Sequence, residues 1–226
     1  EIAASLDITV IPVTVTFGRE RYRDHVTLET EDFLARLKAQ PHIYPEAAAP
    51  SVQDFEDLYS RLARQTSSIL SIHLSGRLGE TCLRAFEAKD RYTVRDVCRV
   101  TVIDSRLTSL GLGFVAMECA AAARAGKPLE DVARLARGML PQTHVLFFVD
   151  TLDYLQRGGR IGKIQALWGA VTGIKPLLRL DDGEIVLMEK VRTRAKALER
   201  LYEFVADFPH VERLGIVYGA TPNEAN

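Results

Sequence analysis

The feature that most narrows what this chain can fold into is a change of hydrophobic period, repeated through its first 150 residues. Short runs rich in Val, Ile and Thr, which suit the two-residue repeat of a strand, alternate with longer amphipathic stretches that suit a helix. Ile8 to Phe17 reads as a first strand, with Pro12 marking a bulge or an edge because it has no amide to donate. Thr27 to Ala39 reads as a helix with Phe33, Leu34 and Leu37 on one face, and Pro41 to Pro50 as a loop. Ser51, with Asp54 three residues on, caps a helix whose buried face is Phe55, Leu58, Tyr59 and Leu62. A second strand, Ser68 to Leu74, leads through a turn with two glycines into a helix, Thr81 to Lys89; a third, Arg99 to Ile103, ends at Asp104 and Ser105. The helix Leu110 to Ala125 stops at Gly126, Pro128 opens another that runs to about Met139, and His144 to Val149 is a fourth, strongly apolar strand. Such alternation builds a parallel sheet through right-handed crossovers, with helices on both faces and a ligand crevice beyond the carboxyl ends of the strands.

After Asp150 the texture changes. A short helix, Leu152 to Gln156, runs into Arg157-Gly158-Gly159-Arg160 and then an apolar helix from Ile161 to about Val171. Leu177 to Leu180 and Glu184 to Lys190 flank Asp181-Asp182-Gly183, a hairpin signal, before a helix over Ala195 to Ala206 and a last strand, Leu214 to Tyr218. The reading is therefore an α/β protein of two lobes: residues 1–150 around a parallel sheet and residues 151–226 as a smaller α/β lobe containing a hairpin.

Charge and composition exclude several classes. The 29 basic and 30 acidic residues nearly cancel, which gives no reason to expect nucleic acid as a partner. The apolar stretches Ile8 to Phe17 and Leu110 to Ala123 are too short or too polar to span a bilayer, and no charged-then-apolar leader opens the sequence, so a cytoplasmic location is expected. Cys82, Cys98 and Cys119 show no paired short spacing and the five histidines are scattered, so neither a disulfide framework nor a metal site is expected.

Three constellations could carry chemistry. The turn Ser75-Gly76-Arg77-Leu78-Gly79-Glu80-Thr81 delivers backbone amides at the start of a helix, a geometry that favours an anion; the alternative is a capped turn with no ligand. In Arg157-Gly158-Gly159-Arg160, two guanidinium groups flank glycines that let a partner approach, or else mark a solvated helix break. Lys190-Val191-Arg192-Thr193-Arg194-Ala195-Lys196 could meet a phosphate or an acidic protein, or pair locally with Glu189 or Glu199.

The run Val149-Asp150-Thr151-Leu152-Asp153-Tyr154-Leu155 into Arg157-Gly158-Gly159-Arg160-Ile161, then Gly173-Ile174-Lys175-Pro176, then Glu189-Lys190-Val191-Arg192-Thr193, is similar to the signature of the DegV family. Val102-Ile103-Asp104-Ser105-Arg106 with Ser109-Leu110-Gly111-Leu112-Gly113, and Pro12-Val13 with Thr16-Phe17-Gly18, resemble the same family. The resemblance implies a DegV-like two-lobed fold and a long-chain fatty acid or related lipid held between the lobes, without a cofactor. It further implies presentation of the carboxylate to a separate ATP-dependent kinase subunit, as in bacterial fatty acid kinase, with transient membrane contact and no catalysis by the carrier. By that likeness the head group meets Ala47, Ala48, Ser75, Gly79, Glu80, Thr81, Arg157, Gly158 and Arg160, and Leu78, Phe114, Ile161, Ile164 and Trp168 line the tunnel. Family members also carry a strand with an Asp-Ser-Thr turn upstream of the position of Glu1 and a His-x-Gly-Pro-Gly segment beyond that of Asn226, so the sequence reads as a fragment.

This sequence departs from the family where it matters. Ala47 stands at the carboxylate-binding threonine and Gly79 at the second hydroxyl, and Glu80 adds a negative charge beside them. Two lost donors cost about 1 to 3 kcal/mol each. Glu80 would repel an anionic ligand unless Arg84 or Arg77 pairs with it. Two other readings follow: a DegV-like carrier of a neutral or cationic amphiphile, or a phosphotransferase related to the dihydroxyacetone-kinase group, for which His73 at a strand end is the nearest candidate nucleophile.

Overall fold

A computed structural model describes residues 2–92, 98–160, 162 and 173–219. The chain divides into two compact units, residues 1–143 and 144–226.

In the first unit, after a one-turn helix α1 (Ile2–Ser5), strand β1 (Thr14–Phe17) pairs antiparallel on both sides, with β2 (Glu20–Arg23) and β3 (Glu46–Ala48). Helix α2 (Thr30–Ala39) follows β2, and Phe33 and Leu37 pack against the buried Val15, Phe17 and Leu28. Helix α3 (Val52–Leu62) starts with the expected capping box: Ser51 accepts the Asp54 amide at 3.1 Å while Asp54 accepts the Ser51 amide at 2.8 Å. Strands β4 (Ser68–His73) and β5 (Arg99–Asp104) are parallel, with His73 opposite Asp104 at their carboxyl ends. Between them lies α4 (Thr81–Arg91); after β5 come α5 (Ser109–Arg124), closed by Gly126 at φ 79°, and α6 (Leu129–Met139). Phe55 and Tyr59 of α3 and Cys82, Ala85 and Ala88 of α4 bury the face of the sheet bearing Ile69, Val100 and Val102, while α6 contacts α5 and both strands.

The second unit is an antiparallel sheet, ordered β6 (Leu146–Phe148), β7 (Lys175–Asp181), β8 (Glu184–Val191). Helix α7 (Asp153–Arg157) follows β6, and α8 (Arg194–Ala206), whose N-cap Thr193 accepts the Lys196 amide at 3.2 Å, contacts all three strands. The hairpin turn falls where Asp182-Gly183 places it, with both residues at positive φ.

Four sequence expectations need correction. Only Thr14–Phe17 of the first run is a strand, and it joins an antiparallel sheet; the Asp24 amide still donates to the Val13 carbonyl at 3.1 Å, and Pro12 has no amide to extend the ladder further. The loop Pro41 to Pro50 contains β3. The run from His144 to Val149 does not extend the parallel sheet: β6 pairs antiparallel with β7, in the unit of residues 144–226. Leu214 to Tyr218 forms no strand among the described residues; Leu214, Ile216 and Val217 stand exposed with no ladder opposite them. The helix expected over Ile161 to Val171 lies outside the described residues.

Candidate functional site

The carboxyl ends of β4 and β5 open into two loops that are bolted together from below. The Ser105 hydroxyl donates to the His73 carbonyl at 2.6 Å and accepts the Leu107 amide at 3.1 Å, and the Ser75 amide donates to the Leu107 carbonyl at 2.9 Å. Ser75 and Ser105 are both fully buried. The Asp104 carboxylate accepts the Gly76 amide at 3.2 Å and the Arg106 amide at 2.9 Å, and a Cβ added at Gly76 would sit 3.0 Å from Asp104 Oδ2. A side chain there would crowd the carboxylate that accepts the Gly76 amide. Arg106 and Ser109, in the second loop, hold positive φ angles of 52° and 54°.

These bonds consume the first amides of the turn: Gly76 donates to Asp104, Arg77 to the Ser75 hydroxyl at 3.2 Å, and Leu78 to the Ser75 carbonyl at 3.0 Å. Beyond Leu78 the pattern stops. Among the described residues the amides of Gly79, Glu80, Thr81, Cys82 and Leu83 donate to no protein acceptor, and the next bonded one is Arg84, to the Glu80 carbonyl at 2.9 Å. Glu80 is the N-cap of α4 and gives no side-chain cap, whereas α3 and α8 are closed by Ser51 and Thr193. Successive donors at the positive end of a helix form a place for an anion.

The Glu80 carboxylate does not lie over those amides. Its Oε2 accepts from Arg84 Nη2 at 2.9 Å, one turn along α4, and Arg84 Nη1 reaches Glu87 at 3.4 Å. The two carboxylates hold the Arg84 guanidinium above its ordinary pKa, the Glu80 hydrogen bond contributing most.

The other expected residues are placed as follows. Ala47 and Ala48 lie exposed on β3, opposite Val15 and Thr14, and carry no side-chain donor. Leu78 is half-buried in the turn, Thr81 buried at the start of α4, and Phe114 half-buried on α5; Ile161, Ile164 and Trp168 lie outside the described residues. Arg157, Gly158 and Arg160 belong to the second unit. There Gly159, at φ 71°, closes α7: its amide donates to the Gln156 carbonyl at 2.9 Å and that of Arg160 to the Leu155 carbonyl at 2.8 Å, the paired bonds of a Schellman stop. Arg160 also donates to the Gly158 carbonyl. In the third constellation Lys196 pairs with Glu199 at 2.8 Å, Arg200 with Glu189 at 3.0 Å, and Arg194 lies over the Phe148 ring at 5.3 Å.

His73 is 7 % exposed; its Nε2 is 2.7 Å from the Ser71 hydroxyl, which is 2.9 Å from the Tyr59 hydroxyl, and Phe55 meets the ring edge-on. Burial depresses its pKa to about 4 against the pull of Asp104. It is a neutral core histidine facing protein. Sequence reasoning assigned no role to Asp104 and Ser105; an Asp-Ser pair ending one strand beside a serine-glycine turn ending the next is the signal that could have found them. Among the described residues no group of His, Cys, Asp or Glu is placed to hold a metal ion, and no helix is long and apolar enough to cross a membrane.

A family model described as an uncharacterised protein of the DegV family matches residues 1–226. A DegV domain-containing protein of Streptomyces coelicolor is 36% identical over 88% of this chain and 69% of its own length. The structure is similar to that of DegV from Bacillus subtilis, described as a fatty acid binding protein, with a TM-score of 0.83 and 32% identity over 91% of this chain and 72% of that one. It is also similar to a DegV family protein from Thermus thermophilus described by its fatty acid binding, with a TM-score of 0.79 and 32% identity over 90% and 71%.

Proposed function

Since this chain belongs to the DegV family, we propose that it is a non-catalytic carrier that binds a long-chain fatty acid by its tail and holds the carboxylate at the Gly79–Leu83 amides. The run of unpartnered amides is the observation that carries the head-group assignment. It offsets the absence of side-chain hydroxyls at Ala47 and Gly79, because a carboxylate that leaves water needs charge-assisted hydrogen bonds and backbone donors at a helix start supply them. The tail supplies affinity: a dozen methylenes at roughly 0.8 kcal/mol each amount to on the order of 10 kcal/mol before ordering costs.

Native mass spectrometry of the purified recombinant chain tests this reading. Co-purified palmitate or oleate supports it. A neutral or amine-bearing lipid would favour the second reading, a carrier of a different amphiphile, which Ala47, Gly79 and Glu80 motivate and the Glu80–Arg84 pair opposes.

The carrier's place in a reaction is proposed from the resemblance to the carrier subunit of bacterial fatty acid kinase. A separate ATP-dependent kinase transfers the γ-phosphoryl group to the carboxylate oxygen, ADP leaves, and the product is an acyl phosphate; no residue of the carrier takes part covalently. The Arg157–Arg160 turn is the proposed contact for the kinase. Arg157→Ala is expected to lower acyl-phosphate formation in the presence of the kinase while the thermal midpoint stays within about 2–4 °C, a shift corresponding to about 1 kcal/mol in a chain of this size. A collapse of the fold would make the turn structural.

A further inference from the structure

We infer that Arg84 selects the charge class of the head group: by pairing with Glu80 it keeps a carboxylate of the protein from competing with an anionic ligand for the Gly79–Leu83 amides. The inference rests on the reading of that turn as the head-group site and adds to it the residue that makes the site accept an anion.

Glu80 stands second in the run of five unpartnered amides, with a side chain 66% exposed and no cap hydrogen bond. A glutamate here is attracted by the same helix end that would attract a ligand carboxylate. Left to itself it has two ways to exclude an anion: by repulsion, or by folding back over the amides as a cap. Arg84, four residues on in the favourable acid-before-base order, holds it at 2.9 Å along the helix flank instead. Arg84 also spans to Glu87 at 3.4 Å, so its guanidinium lies between carboxylates of two turns of α4. Gly79 has no side chain to cover its own amide. With the pair intact the turn offers amides; without it, Glu80 adds an unpaired negative charge beside them.

Calorimetry on the full chain with oleate, and with monoolein as a neutral head group on the same tail, tests the inference. Arg84→Gln is expected to weaken oleate binding about tenfold, the equivalent of one unpaired charge at several ångströms near a protein surface. The same change should leave monoolein within about twofold. Arg84→Lys should retain most of the oleate affinity, and Glu80→Gln added to Arg84→Gln should restore it. Equal loss of both lipids in Arg84→Gln, with a fallen thermal midpoint, would make Arg84 structural and overturn the inference, as would undiminished oleate binding. An unaltered chain that binds neither lipid overturns the head-group reading itself, and the inference with it.

Discussion

At the scale of single residues the site is held from inside by buried polar groups. Ser105 serves the His73 carbonyl and the Leu107 amide at once, so Ser105→Ala leaves the Leu107 amide without its acceptor where water has no access, while the His73 carbonyl keeps only the Ser105 amide at 3.1 Å. The expected cost is about 1 to 3 kcal/mol, read as a lower urea midpoint with an unchanged slope. His73 makes a prediction about pH. Burial depresses its folded pKa to about 4, below the unfolded value of 6.5. A depressed histidine contributes its full stability above the unfolded pKa, loses it as pH falls from about 6.5 towards 4, and loses no more below that. The total is on the order of 3 kcal/mol. Urea unfolding of the unaltered chain and of His73→Gln at pH 7.5 and 4.5 checks it: the variant should lose distinctly less stability over that interval. Parallel losses would mean that other groups carry the acid sensitivity.

At the scale of elements, what was legible from sequence is what is decided locally. The Ser51–Asp54 capping box, the Gly126 stop and the Asp182-Gly183 turn each rest on the conformational preference of one or two residues, and each stands where the sequence places it. Strand partners are decided at a distance. The Val, Ile and Thr of Ile8 to Phe17 and the apolar run His144 to Val149 say strand but not which strand lies beside it, so parallel pairing was expected where antiparallel pairing is found. β3 escaped because Glu46-Ala47-Ala48, three residues between prolines, are too few to carry a period. The turn offers a direct test: Gly183 is buried at φ 82°, and Gly183→Ala is expected to destabilise the second unit by about 1 kcal/mol, measured by thermal unfolding. Ser51→Ala should cost a similar amount, about 1 kcal/mol, in the first unit.

At the scale of the whole molecule, the sequence pointed to the turn proposed to hold the head group but not to the parts that would do so. Ser75 looked like a ligand hydroxyl and is a fully buried anchor; Gly79 and Glu80 looked like losses, yet they lie within a run of donors that side-chain chemistry cannot reveal, because backbone amides are common to every residue and only the fold decides which remain unpaired. That division fixes how affinity should respond to the ligand. If the tail supplies binding and the amides only orientation, each added methylene should tighten binding about fourfold while chain remains to be buried, which is 0.8 kcal/mol in an equilibrium constant. Saturated acids of twelve, fourteen and sixteen carbons, titrated by calorimetry below their micellar concentrations, should therefore step down in Kd by more than tenfold per pair of methylenes, with a negative heat-capacity change. Added salt should move the values little, because one carboxylate at a helix end contributes only about 0.3 to 2 kcal/mol to screen. A flat response to chain length with a steep response to salt would reverse the assignment, making the turn the source of affinity and the hydrocarbon incidental.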